Sequence, residues 1–124
     1  MLNLEMIHKD ERGEIYLIKG DLKEHQELTL FVTNKDYARG GCVHNEHDEY
    51  CIVLEGSLEY YIGKAIIQLR KGDVEVIPSK VPHYFISKTD SIVIEWGADP
   101  EEKKKKHHEF RQRMEEVNAK LKKR

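Results

Sequence analysis

The feature that most restricts this chain is a succession of short apolar or alternating segments, each closed by a turn signal, with no helical period before Pro100. Glu14 to Lys19 holds Ile15-Tyr16-Leu17-Ile18 and closes at Gly20-Asp21. From His25 to Val32, Leu28, Leu30 and Val32 fall on one side and Glu27, Thr29 and Phe31 on the other. Tyr50 to Leu54 is an apolar run before Gly56, and Ser57 to Ile62 sets Leu58, Tyr60 and Ile62 against Glu59 and Tyr61. Ala65 to Leu69 repeats that period, and Val74 to Ile77, His83 to Ser87 and Ser91 to Trp96 read as further strands. Met1 to His8 is a weak strand or a lead-in. Strands at intervals of roughly eight to twelve residues have the spacing of an antiparallel sandwich or barrel. The missing helices exclude a doubly wound sheet. Because many strands are apolar on both faces, they suit a small barrel covered outside by a partner or by the chain's own ends.

A chain of 124 residues forms one domain with one core. Its net charge of -2 is unevenly divided: residues 1–99 carry 11 basic against 18 acidic side chains, and residues 100–124 carry 10 against 5. The acidic body argues against a nucleic-acid surface, which gathers basic side chains on one face. The two cysteines, Cys42 and Cys51, form neither a disulfide framework nor a paired zinc knuckle, and indicate a reducing, cytoplasmic setting. No apolar run of about 18 residues spans a bilayer. Met1 to Lys9 lacks the positive region and apolar core of an export signal.

The last segment differs in kind. Asp99 caps, Pro100 takes the first position, and Glu101 and Glu102 supply acids to the first turn of a helix expected over residues 100–124. Phe110, Met114, Val117 and Leu121 make one apolar stripe on a charged helix, which packs on the barrel of residues 1–99 or on a second subunit. Lys103 to His108 reads as a solvated charge run, and a basic helix at a membrane surface or on nucleic acid is the rival reading of the tail.

Between an Arg39-Gly40-Gly41 turn and the run from Tyr50 lie His44, His47, Asp48 and Glu49, residue types that ligate metals or transfer protons. Gly41-Cys42-Val43-His44-Asn45-Glu46-His47-Asp48-Glu49, followed by six residues and Gly56, is similar to the first motif of the cupin superfamily. Gly72, Pro78, Lys80 and His83 resemble its second motif. The resemblance implies an all-β, cupin-type double-stranded β-helix, a jelly-roll barrel with one C-terminal helix. It implies a divalent metal ion (zinc, iron, nickel or manganese) held by His44, Glu49 and His83, with Cys42 standing in the slot of the first histidine. His47 lies beyond that pair, as a substitute ligand or a catalytic imidazole, and Lys80 stands where the family usually has glycine.

The resemblance extends to small cupins of sugar-nucleotide metabolism, including keto-sugar isomerases and parts of capsular-polysaccharide enzymes. It implies a proton shift beside a carbonyl, with His44, His47 or His83 as base, Tyr60 or Tyr84 as proton donor, and Arg39 or Lys80 as clamp for a phosphate or carboxylate. The alternatives are an iron-dependent dioxygenase and a non-catalytic module that binds a small molecule. A homodimer is expected, because short strands with apolar faces need cover.

Overall fold

A computed structural model of the chain describes residues 3–19, 28–97 and 104–122. Among the described residues eleven strands precede one helix: β1 (Asn3–Asp10), β2 (Gly13–Lys19), β3 (Leu28–Thr33), β4 (Ala38–His44), β5 (Glu49–Glu55), β6 (Ser57–Ile62), β7 (Ala65–Arg70), β8 (Val74–Ile77), β9 (His83–Ser87), β10 (Ser91–Trp96), β11 (Lys104–Lys106) and α1 (His108–Lys122). The strands form two antiparallel sheets, β1-β2-β3-β10-β5-β8 and β11-β4-β9-β6-β7. The closed jelly-roll barrel is therefore corrected to an all-β core of two separate sheets. The physical reason lies at the corners. Between β7 and β8 the chain changes sheets through Lys71–Asp73, where isolated bonds such as Gly72 N to Val53 O (2.7 Å) replace a continuous ladder. Each sheet keeps two edges, β1 and β8 in one, β11 and β7 in the other.

Alternation along the strands builds the core between the sheets. Cys51 and Val53 from β5, Leu58, Tyr60 and Ile62 from β6, Phe85 from β9 and Val93 from β10 form one buried cluster. The same faces become polar toward one end: β5 begins at Glu49, β9 begins at His83, and Glu95 follows Val93 by two residues. A second cluster lies on the other side of the five-stranded sheet, where Ala38 and Tyr84 meet Phe110 and Met114 of α1. Phe110, Met114 and Val117 of the apolar stripe thus pack on the chain's own sheet.

Two features of the tail depart from the expectation. The backbone of Lys104–Lys106 pairs with Cys42–His44 as an edge strand, a place where lysines discourage further pairing, while the side chains of Lys105 and Lys106 stay exposed as expected of a solvated charge run. The helix begins at His108, after His107, whose carbonyl accepts from Arg111 N (2.8 Å) and whose Nδ1 accepts from Phe110 N (3.3 Å). The expected cap and first turn at Asp99, Pro100, Glu101 and Glu102 lie outside the described residues, as do the Gly20-Asp21 turn and the first residues of the His25 to Val32 segment. No helix among the described residues is long and apolar enough to cross a membrane.

Candidate metal centre

His44 ends β4, Glu49 begins β5 and His83 begins β9, so three strand ends deliver one ligand each. All three are buried, at 3%, 5% and 4% exposure. Their ligand atoms lie within 4.8 Å of one another. His44 Nε2 is 3.1 Å and His83 Nε2 3.5 Å from the same oxygen, Glu49 Oε1. That oxygen has no aligned hydrogen-bond donor, and His44 Nδ1 is also a buried polar atom without one. Metal-to-ligand bonds of ~2.0–2.2 Å set neighbouring ligand atoms roughly 3.0–3.6 Å apart in octahedral or tetrahedral shells. The residues therefore fit a divalent cation better than they fit each other.

One tautomer is fixed by its surroundings. His83 Nδ1 lies 3.2 Å from the Val81 carbonyl, which only accepts, so Nδ1 carries a proton and Nε2 is the nitrogen left facing Glu49. Burial alone would raise the Glu49 carboxyl, but His44 and His83 outweigh it and hold its pKa down. Burial pulls the His83 imidazole down, and Glu49 and Glu95 outweigh that and raise it.

These three residues lie on the wall of a cavity of about 300 Å³. Tyr60 and Glu95 line it too, with the Tyr60 hydroxyl donating to Glu95 Oε1 at 2.7 Å. Burial first, then the nearby Glu95, pushes the Tyr60 phenol well above its ordinary range, so it stays protonated.

The Cupin domain family matches residues 39–96. The fold is similar to KdgF from Halomonas sp. (TM-score 0.65, 16% identity, covering 77% of this chain and 86% of that one). It is similar to the capsular polysaccharide assembling protein CapF from Staphylococcus aureus (TM-score 0.67, 19% identity, 78% of this chain and 29% of CapF). A sugar phosphate isomerase of the cupin superfamily from Silicibacter pomeroyi is a third similar structure (TM-score 0.58, 20% identity, 68% of this chain and 59% of that one). Sequence and fold both match the cupin superfamily. No curated protein sequence matches the chain.

Within this fold the other expected site residues fall in different places. Cys42 lines the cavity, paired in register with His83, but is outside the group of three whose ligand atoms converge. His47 is exposed in the loop after β4 and does not line the cavity. Tyr84 follows the inward His83 by one residue and faces the opposite way, stacking on Tyr61 (4.5 Å between centroids) and meeting Phe110 edge-on. Lys80 is exposed; its backbone, at φ +67°, donates from N to the His44 carbonyl (2.6 Å). That left-handed conformation is the reason glycine suits this slot of the cupin motif.

Arg39 does reach the cavity, by way of a bulge. In simple alternation it would oppose Cys42, which lies three residues on. Between Gly40 and Cys42, however, the register against β9 slips: Arg39 faces Phe85, Gly40 faces Tyr84, and Cys42 faces His83. The extra residue turns Arg39 inward together with Cys42 and His44, and leaves Ala38 against α1. Gly40 and Gly41, at φ +115° and +80°, permit it. A Cβ on Gly41 would stand 2.9 Å from Arg111 Cα, so the glycine also lets α1 approach and bring Arg111 to the cavity. Glu95 and Arg111 were not singled out from sequence. The alternation Ser91, Val93, Glu95 is a signal for the first, and nothing local marks the second.

Proposed function

We propose that the chain is a metal-binding cupin that shifts a proton beside a carbonyl on a small sugar-type substrate. The observation that carries this reading is the convergence of His44 Nε2, His83 Nε2 and Glu49 Oε1 on the wall of a cavity that also contains the Tyr60–Glu95 pair. His44, Glu49 and His83 hold zinc, iron, nickel or manganese, cations suited to mixed nitrogen and oxygen ligands; magnesium and calcium prefer oxygen alone. The cation supplies Lewis acidity toward a substrate oxygen. Glu95 takes the proton from the hydroxyl-bearing carbon next to the carbonyl and returns it to the former carbonyl carbon, while the hydroxyl proton of the substrate passes to the former carbonyl oxygen; Tyr60, protonated, holds that carboxylate at the cavity wall. With His47 outside and Tyr84 turned away, Glu95 serves as both base and returning acid, and Tyr60 positions it. A similar fold in a protein described as a sugar phosphate isomerase supports the substrate class.

A cavity of about 300 Å³ is at the lower end for small-molecule sites, which favours a single sugar over a nucleotide-linked one. Residues 1–99 form the cupin body and residues 100–124 an appended segment. The protein acts in the cytoplasm; neither Cys42 nor Cys51 is joined in a disulfide. Two histidines and one carboxylate are also the ligand set of non-haem iron(II) oxygenases, which makes the dioxygenase the second reading.

The test is exchange of substrate hydrogen with solvent. Metal-loaded protein incubated in heavy water with a panel of ketose and aldose acids and phosphates should incorporate deuterium beside the carbonyl of at least one, followed by proton NMR. Glu95→Gln should slow that exchange by about 10²–10⁴-fold with its metal retained. Exchange at the parent rate in Glu95→Gln removes the mechanism, and oxygen uptake with iron(II) in place of exchange selects the dioxygenase.

A further inference from the structure

We propose that the cavity binds its ligand by an oxyanion, a carboxylate or phosphate seated on Arg39, with Arg12 and Arg111 beside it. The inference deepens the proposed function and rests on its reading of the cavity as a substrate site.

Arg39 is 3% exposed. Its recorded hydrogen bonds are to neutral acceptors: Nε donates to Thr33 Oγ1 (2.8 Å) and one terminal nitrogen to the Val32 carbonyl (3.3 Å). Its guanidinium carbon lies 5.9 Å from the centre of the Phe31 ring. No carboxylate within ion-pair distance is recorded for it among the described residues. Burial, then the like charge of Arg12, lowers its pKa to about 10, which leaves it a cation at neutral pH. Asp10 acts on Arg39 from a distance but is committed to Arg12, and a buried guanidinium with uncommitted N–H groups facing a cavity recovers its desolvation cost by binding an oxyanion.

The neighbours add to this. Arg12 is held by Asp10 through two bonds of 2.9 and 2.7 Å, which fix its fork at the cavity and neutralise its charge in part. Arg111 donates to the Gly40 carbonyl at 2.7 Å. The cationic groups come from the β1–β2 turn, from β4 and from α1. The bulge at Gly40-Gly41 aims Arg39 inward, and bulges beside functional sites commonly re-aim a side chain in this way.

The spacing bounds the ligand. Arg39 pairs with Phe85, two residues along β9 from His83, or roughly 7 Å of strand. In a cavity of about 300 Å³ one molecule the size of a sugar ring reaches from the oxyanion site to the His44, Glu49 and His83 cluster. The substrate class is therefore a small hydroxylated acid or phosphate ester.

The experiment is calorimetric titration of the full chain, both metal-loaded and stripped, with glucuronate, glucose 6-phosphate and uncharged glucose. At least one charged probe should bind about tenfold or more tighter than glucose, and the better of the two identifies carboxylate or phosphate. Arg39→Gln should weaken that probe by about tenfold or more, with Arg39→Lys between the two. Should Arg39→Gln not fold, Arg12→Gln and a rise in salt from about 0.05 to about 0.5 M should each weaken the charged probe and leave glucose unchanged. Glucose binding as tightly as both charged probes, no binding of any probe, or charged binding indifferent to a folded Arg39→Gln, overturns the proposal; so does indifference to both Arg12→Gln and salt. Arg39-dependent binding by protein that takes up no metal leaves the clamp standing and removes the metal reading alone.

Discussion

At Glu49 one carboxylate oxygen faces two imidazole nitrogens at 3.1 and 3.5 Å, and neither contact is aligned as a hydrogen bond. A buried carboxylate oxygen left this way is destabilising unless a further group satisfies it, and a cation shared with the two Nε2 atoms does so. The claim separates residues that share a motif but not a role. His83→Ala should lower zinc affinity by more than the ~10–100-fold typical of losing a supporting contact, whereas Cys42→Ser and His47→Ala should leave it within about threefold. Competition titration against a chelating dye measures all three. A loss in Cys42→Ser equal to that in His83→Ala would return the thiolate to the ligand set.

Among the elements, the Gly40-Gly41 bulge ties together the cavity and the helix. Gly41→Ala must keep φ near +80° and bring a Cβ to 2.9 Å from Arg111 Cα, and should cost about 2–4 kcal/mol by urea denaturation. Gly72 has φ +92° but nothing within 4 Å of the same position, so Gly72→Ala should cost only about 1–2 kcal/mol for its backbone. Equal losses would show that α1 does not press on Gly41. The bulge also marks where sequence reasoning stops. His44, Glu49 and His83 were readable because each motif fixes local spacing, and alternation from His83 already turns Tyr84 away. Arg39, named as a clamp by resemblance alone, has no face that alternation could assign, because one inserted residue reverses the face of everything before it. The strand Lys104–Lys106 has no intrinsic strand signal and exists by pairing with β4, over sixty residues away in sequence. Barrel and sandwich share the same strand spacing, and closure depends on whether edges pair, which the period does not record.

For the whole molecule, the six-stranded sheet ends in β1, which among the described residues pairs with β2 alone and exposes Leu4, Met6 and Ile7 at 57%, 47% and 48%. An eight-residue edge strand with apolar side chains calls for cover, which the expected homodimer would supply. Light scattering at micromolar concentration should give twice the chain mass for the parent, and the chain mass for the double variant Leu4→Glu with Met6→Glu. A monomeric parent would remove the dimer and leave the cavity untouched. The central claim is that two sheets and three strand ends build a metal site, and its most direct test is metal content. Protein purified without chelator or histidine tag is incubated in turn with zinc, iron(II), manganese and nickel, freed of excess metal, and counted by mass spectrometry. The account predicts about one equivalent per chain of at least one metal, lost in His83→Ala. Less than about a tenth of an equivalent of every metal in the parent would contradict it.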